Sequence, residues 1–215
     1  SNPFIDVVVH GEGEHVFNLI LQHYTPNKLS LNGISGISYV ENNKFINNPK
    51  TGRFKELNEI PSPYLTDIFQ SIMDKKPNAQ WLALWETNRG CPFSCTYCDW
   101  GSATQAKVSK FDINRLQKEI QWFSNNKVEF IFCCDANYGM LPRDIDITKY
   151  VVESNKKTGY PKALSVQNTK NATERSYQVQ KILSDGGLNK GVTLSVQSMD
   201  KNTLINIKRD NISTE

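Results

Sequence analysis

Arg89-Gly90-Cys91-Pro92-Phe93-Ser94-Cys95-Thr96-Tyr97-Cys98-Asp99-Trp100-Gly101 spaces three cysteines as C-x3-C-x2-C, directly after the apolar run Trp81 to Trp85. Three thiolates this close together can converge on one metal centre. They do not complete a structural zinc site, which takes four ligands and usually two separated pairs. No histidine is near, since His10, His15 and His23 are the three in the chain and all lie far upstream. An iron–sulfur cluster with three protein ligands fits the pattern better, and it leaves one iron open for a small molecule. An open iron is what turns an electron-transfer cluster into a catalyst.

The rest of the composition narrows the class. With 215 residues the chain is long enough for one or two domains and a real core. Its net charge of +3, from 25 basic and 22 acidic residues, gives no lead toward nucleic acid or a membrane surface. No apolar run approaches a membrane span, and no basic-then-apolar signal opens the chain. Five cysteines, three in one loop, do not resemble a secreted disulfide framework. The sequons at Asn171 and Asn211 therefore carry no glycosylation meaning, and the expected compartment is the reducing cytoplasm. The chain begins inside a strand and ends just after a helical pattern, so a fragment of a longer protein is expected.

Working upstream from the loop, Leu65 to Met73 has helical spacing, and Ile60-Pro61-Ser62-Pro63 is a stiff extended linker because each proline excludes helix before it. Ile34 to Val40 and Lys44 to Ile46, joined by Glu41-Asn42-Asn43, read as a β-hairpin. Phe4 to Val9 reads as a buried strand, Gly11-Glu12-Gly13-Glu14 as a turn, and Val16 onward as an amphipathic helix. This strand–turn–helix unit is expected to be the last one of a parallel α/β domain. Its glycines invite a phosphate-binding reading, but Glu12 and Glu14 put negative charge where a phosphate would sit.

Downstream, strand, loop and helix repeat. Strands are expected at Leu82 to Glu86, Val128 to Cys133, Ala163 to Gln167 and Val192 to Gln197. Each is followed by a helix, around Ile113 to Phe123, Asp146 to Lys157, Glu174 to Leu183 and Thr203 to Arg209. Leu164-Ser165-Val166-Gln167-Asn168 recurs thirty residues later as Leu194-Ser195-Val196-Gln197-Ser198, about the length of one βα unit. Alternation puts Ser165 and Gln167 on one face, and Ser195 and Gln197 on the equivalent face. Polar groups on a buried parallel strand are costly unless they meet partners. A polar-lined barrel interior, with chemistry at the strands' C-terminal ends, explains them. Cys133 and Cys134 are adjacent on a strand and point to opposite faces, so they read as small buried residues rather than joint ligands.

The loop resembles the hallmark of the radical S-adenosylmethionine superfamily, including the aromatic residue before the last cysteine, here Tyr97. The resemblance implies a [4Fe–4S] cluster on Cys91, Cys95 and Cys98, with the amino and carboxylate groups of S-adenosylmethionine on the fourth iron. It also implies an electron donor such as flavodoxin or ferredoxin. Asp135-Ala136-Asn137 lies where many relatives carry a Gly-Gly-Glu-like segment that holds the methionine amino group. Asp135 reads equally as that acceptor or as a helix cap. Gln197 and Arg209 resemble a polar fourth-strand residue and a following helix arginine that pairs with the methionine carboxylate. Arg209 also reads as a solvated helix end. Gln167, Asn168 and Ser195 read as ribose contacts or as satisfied barrel polar groups. No catalytic residue beyond the cluster is assigned.

The stretch Asp6 to Glu14, the hairpin and the proline linker, taken together, resemble the branch with a cobalamin-binding domain before the radical domain. The implied architecture is α/β. Residues 1–30 form the end of a Rossmann-like, cobalamin-type domain, 31–78 a β-hairpin and linker, and 79–215 a partial (β/α) barrel of about four βα units. His10 lacks the Asp-x-His spacing of a cobalt ligand. The implied reaction is cobalamin-dependent radical methylation of an unknown substrate. The alternatives are a methylthiotransferase, a rearrangement or cyclisation enzyme, or a non-catalytic iron–sulfur module.

Overall fold

A computed structural model describes residues 4–25, 28–50, 52–98, 107–169, 174–192 and 195–209. The chain divides into two compact units, Ser1–Ile60 and Pro61–Glu215.

The first unit contains β1 (Val7–Val9), α1 (Gly13–Gln22), β2 (Tyr24–Thr25), β3 (Lys28–Leu29), β4 (Ile37–Glu41) and β5 (Lys44–Asn47). The expected hairpin forms between β4 and β5. Its two loop residues, Asn42 and Asn43, both have positive φ (50° and 59°), the conformation that a two-residue hairpin turn needs and that asparagine tolerates. β1 departs from the expectation of a parallel domain: it pairs antiparallel with β4, with Val7 opposite Tyr39 and Val9 opposite Ile37. The reason is packing. Val7, Val9, Ile37 and Tyr39 share one face, and Val16 and Ile20 of α1 cover it together with Leu31 and Ile34. Residues on both sides of position 30 therefore share one small core. Glu12, in the turn before α1, accepts from the Phe54 amide and lies 3.6 Å from Arg53 Nε, which leaves the plain-turn reading of the glycines in place.

In the second unit the helix expected over Leu65 to Met73 shortens to α2 (Gln70–Asp74). Asp67, at φ 57°, sits in the left-handed region and breaks the helical run. There follow β6 (Trp81–Trp85), β7 (Asn88–Arg89), β8 (Ser109–Lys110), α3 (Ile113–Asn125), β9 (Val128–Cys133), α4 (Arg143–Thr158), β10 (Ala163–Ser165), α5 (Glu174–Asp185) and α6 (Lys201–Asn206). β6, β9 and β10 form a parallel sheet in the order β10-β9-β6. One face, carrying Ala83, Trp85, Ile131, Cys133 and Leu164, is buried. α3 contributes Leu116, Ile120 and Phe123 to the core, and α4 packs against both α3 and α5. Asp112 caps α3 by accepting from the Asn114 amide at 2.7 Å, and Gly159 ends α4 in the left-handed conformation.

The other sheet face carries Leu82, Leu84, Phe130 and Phe132, so it is apolar where a polar lining was expected; Ser165 is its polar exception near the C-terminal edge. Gln167 lies beyond the end of β10. The expected fourth strand is not seen among the described residues. Val192 and Ser195 to Gln197 are exposed and outside any ladder, and 193–194 lie outside the described residues. The carbonyl of Ser195 is taken by the Arg209 side chain, a bond that holds this segment to the end of α6. An apolar cavity of about 380 Å³ lies between Tyr64, Met73, Leu82, Leu84 and Trp122, and none of the cysteines lines it.

Candidate metal centre

The cysteine loop is an excursion from the end of β6, and its base is closed as a stem. β7 pairs antiparallel with β8, Asn88 opposite Lys110 and Arg89 opposite Ser109, and the Phe111 amide bonds the Thr87 carbonyl at 3.1 Å. Two side chains from elsewhere lock this stem. The Arg143 guanidinium, at the start of α4, donates to both the Phe111 and Thr87 carbonyls. The Asp135 carboxylate, just after β9, accepts from the Thr87 and Asn88 amides at 2.7 and 3.1 Å, from the Asn88 side chain at 2.7 Å and from the Thr87 hydroxyl. Within the stem, Arg89 forks onto Glu86 at 2.9 and 2.8 Å.

Asp135 was read as a possible acceptor for the methionine ammonium. The geometry turns its carboxylate to the stem, where Thr87 and Asn88 donate to it. Burial pushes its carboxyl above the ordinary value, against the lowering effect of the Thr87 and Asn88 donors. It fixes the loop's starting point from the far strand. Asn88 had no assignable role in the sequence, and Arg143 gave no signal at all. Their partners lie tens of residues away, and no local pattern marks such contacts.

Past the stem, Gly90 has φ 118°, a conformation that side-chain-bearing residues rarely adopt, and it turns the chain into Cys91. Cys91 and Cys95 are 1% and 2% exposed, whereas Cys98 is half-buried. The Cys98 amide bonds the Cys95 carbonyl at 3.2 Å, a turn that holds the last two cysteines together. Residues 99–106, including Asp99 and Trp100, lie outside the described residues.

Two of the expected cofactor residues meet the loop. Asn137, 1% exposed, donates through Nδ2 to Cys91 Sγ at 3.2 Å, and its Oδ1 is buried without a hydrogen-bond partner. Arg209, also buried, donates to the Tyr97 hydroxyl at 2.8 Å and to the Ser195 carbonyl, while the Thr96 amide bonds the Ile207 carbonyl at 3.0 Å. The end of α6 thus holds the loop at Thr96 and Tyr97, and the guanidinium lies there rather than at a solvated helix end. Gln167 meets the Asn137 turn through its backbone, since its carbonyl accepts from the Tyr138 amide at 2.8 Å. The Asn168 side chain is engaged by Gln180 at 2.7 Å. Gln197 is exposed, and the described contacts do not bring it to the cysteines.

The residues present suit an iron–sulfur cluster. Among the described residues no three histidine, cysteine, aspartate or glutamate side chains gather closely enough to hold a single metal ion. Cysteine thiolate is the donor that would hold an iron–sulfur cluster here. Soft thiolate donors suit it, as does an amide N–H aimed at a sulfur. The orphaned Asn137 carbonyl is a buried acceptor of the kind that marks a site for a ligand. Cys133, fully buried, stays a thiol because burial pushes its pKa well up, with the charge of Asp135 adding to the effect.

No protein-family model matches the chain. It is 39% identical over 216 residues to the 2-(S-pantetheinyl)-carbapenam-3-carboxylate methyltransferase of Streptantibioticus cattleyicolor. It is 38% identical over 217 residues to the cobalamin-dependent radical SAM methyltransferase TokK of Streptomyces tokunonensis. The chain matches a stretch of the cobalamin-dependent radical S-adenosylmethionine enzymes. Each alignment takes in all of this chain and 32% of the relative, so the chain spans about a third of the length of the curated relatives it matches. The fold is similar to part of the solved structure of the cobalamin-dependent S-adenosylmethionine radical enzyme OxsB with aqua-cobalamin and S-adenosylmethionine bound. That likeness has a TM-score of 0.56 at 18% identity and covers 94% of this chain and 29% of that one. The resemblance carried by the cysteine loop is therefore matched along the whole chain. Among the described residues no helix is long and apolar enough to cross a membrane.

Proposed function

We propose that Cys91, Cys95 and Cys98 hold a [4Fe–4S] cluster, and that the protein carrying this chain is a cobalamin-dependent radical methyltransferase. The observation that carries the reading is the C-x3-C-x2-C loop with two enclosed thiols and the Asn137 amide aimed at one of them. The similarity to two methyltransferases over all of this chain supports the reaction class. When bound, the cluster and S-adenosylmethionine supply a 5′-deoxyadenosyl radical, and cobalamin supplies the methyl group.

The chain's own residues fix and enclose that site. Asp135 and Arg143 hold the loop stem, and Arg209 holds Tyr97. Burial of Cys91 and Cys95 keeps water from two of the three thiolates. The buried, unpartnered Oδ1 of Asn137 is the acceptor this reading assigns to the methionyl ammonium group. In this reading β6, β9 and β10 are the first strands of a (β/α) barrel. The site works in a reducing compartment, the cytoplasm, and draws electrons from a flavodoxin or ferredoxin.

The test is anaerobic reconstitution of the protein with iron and sulfide, followed by EPR of the reduced state. The expected signal is that of a [4Fe–4S] cluster that S-adenosylmethionine perturbs, with release of 5′-deoxyadenosine under reduction. Cys95→Ala should lose both. A wild-type protein that takes up no cluster overturns the reading. A cluster indifferent to S-adenosylmethionine overturns the enzymatic part of it.

A further inference from the structure

We propose that Asn137 sets the reduction potential of the cluster through its hydrogen bond to Cys91, an inference that rests on reading the three cysteines as cluster ligands. Asn137 lies in the turn after β9, on the C-terminal side of the parallel sheet. Its side chain is enclosed, its Nδ2 stands 3.2 Å from Cys91 Sγ, and its Oδ1 meets no hydrogen-bond partner.

The direction of this amide follows from chemistry. A cysteine thiolate is an acceptor only. Turning the amide over would face its carbonyl oxygen to the sulfur, so that two acceptors meet, and would leave the N–H groups without a partner. The N–H must therefore face Cys91. Packing alone does not explain an amide here. A leucine fills a similar volume and has no carbonyl to leave desolvated, so as a filler it would cost the fold less.

The backbone around Asn137 is held from both sides. Asp135, two residues earlier, is fixed by Thr87 and Asn88. Tyr138, one residue later, donates its amide to the Gln167 carbonyl at 2.8 Å, and the Thr169 amide returns to the Tyr138 carbonyl at 3.0 Å. The amide is thus presented in a set orientation rather than left to find one.

The sign of the effect follows. Reducing an iron–sulfur cluster by one electron increases the negative charge on its sulfurs. An N–H donor to a ligating sulfur stabilises the reduced form more than the oxidised form, and so raises the potential. Cys91 is almost fully enclosed, so water is poorly placed to replace the lost donor, and the low local dielectric keeps the effect large. Asn137 acts here through Cys91, as a positioning residue for charge.

The experiment is a redox titration, followed by EPR, of the reconstituted protein and its Asn137→Leu variant. The expected result is equal iron and sulfide content with a lower potential in the variant, so that less of its cluster is reduced at a fixed solution potential. An unchanged or higher potential with full cluster content overturns the inference and leaves the cluster reading standing. A wild-type protein that takes up no cluster overturns the cluster reading and this inference with it. Where the leucine variant fails to fold or load, wild-type protein labelled with 15N on asparagine side chains decides instead. Pulsed EPR of its reduced cluster should show a coupled side-chain nitrogen, and its absence overturns the inference.

Discussion

Asp144 accepts from the Gly139 and Leu141 amides, both at 2.9 Å, and still leaves Oδ1 buried without a partner. Burial outweighs the two donors and pushes its carboxyl from the ordinary 3.8 up to about 6. In that interval the folded protein holds a proton that the unfolded chain has released. Stability contributed by this group is therefore highest at low pH, falls as pH rises from about 4 to about 6, and levels off above. Asp144→Asn should flatten this slope, as read from urea midpoints at a series of pH values. Cys91, Cys95 and Cys98 are legible as candidate ligands one by one because their spacing is local. Asp135 was legible as a polar group at a strand end, but its partners, 47 and 48 residues upstream, were not. Arg209 stands out in the sequence as a candidate partner for a carboxylate, while its bond to Tyr97 spans 112 positions that no pattern connects.

At the scale of elements, the turn from β9 into α4 is pressed against α5. Gly139 has φ 86°, and a Cβ there would lie 2.7 Å from Ser176 Oγ and 3.1 Å from Ser176 Cα. Gly139→Ala combines backbone strain with a clash against the backbone of α5, and should cost about 1–3 kcal/mol. Thermal unfolding would check this, and a change below a few tenths of a kcal/mol would contradict it. β6, β9 and α3 were readable because each is a long run with one clear period. α2 was misjudged in length because Asp67 takes a left-handed conformation that apolar spacing does not encode. The Val192 to Gln197 strand is expected from the strand–loop–helix pattern and from the recurrence of Leu164 to Asn168 as Leu194 to Ser198. A repeat of sequence does not supply a ladder partner, and Ser195 instead gives its carbonyl to Arg209.

For the molecule as a whole, the two units have separate cores. Ile37 is fully buried in the first, against Val16, Ile20 and Tyr39. Ile37→Ala should destabilise that unit by about 2–5 kcal/mol. Hydrogen exchange should show faster exchange in β1, β4 and β5 with β9 unchanged, and an equal loss of protection in β9 would refute separate cores. The strand–turn–helix at residues 1–30 was visible from sequence, but the direction of its pairing was not, since alternation fixes a face and not a partner. The placing of Cys91, Cys95 and Cys98 within one eight-residue loop, while Asn137 reaches Cys91 from 46 positions away and Arg209 reaches Tyr97 from 112, bears on biosynthesis. Gathering Cys91, Cys95 and Cys98 closes almost no chain, so it carries little loop entropy. On the cluster reading proposed above, the three candidate ligands have all been synthesised once Cys98 has, well before α6. On that reading iron uptake needs no part of the later chain, and the Asn137 contact to Cys91 and the Arg209 contact to Tyr97 form afterwards.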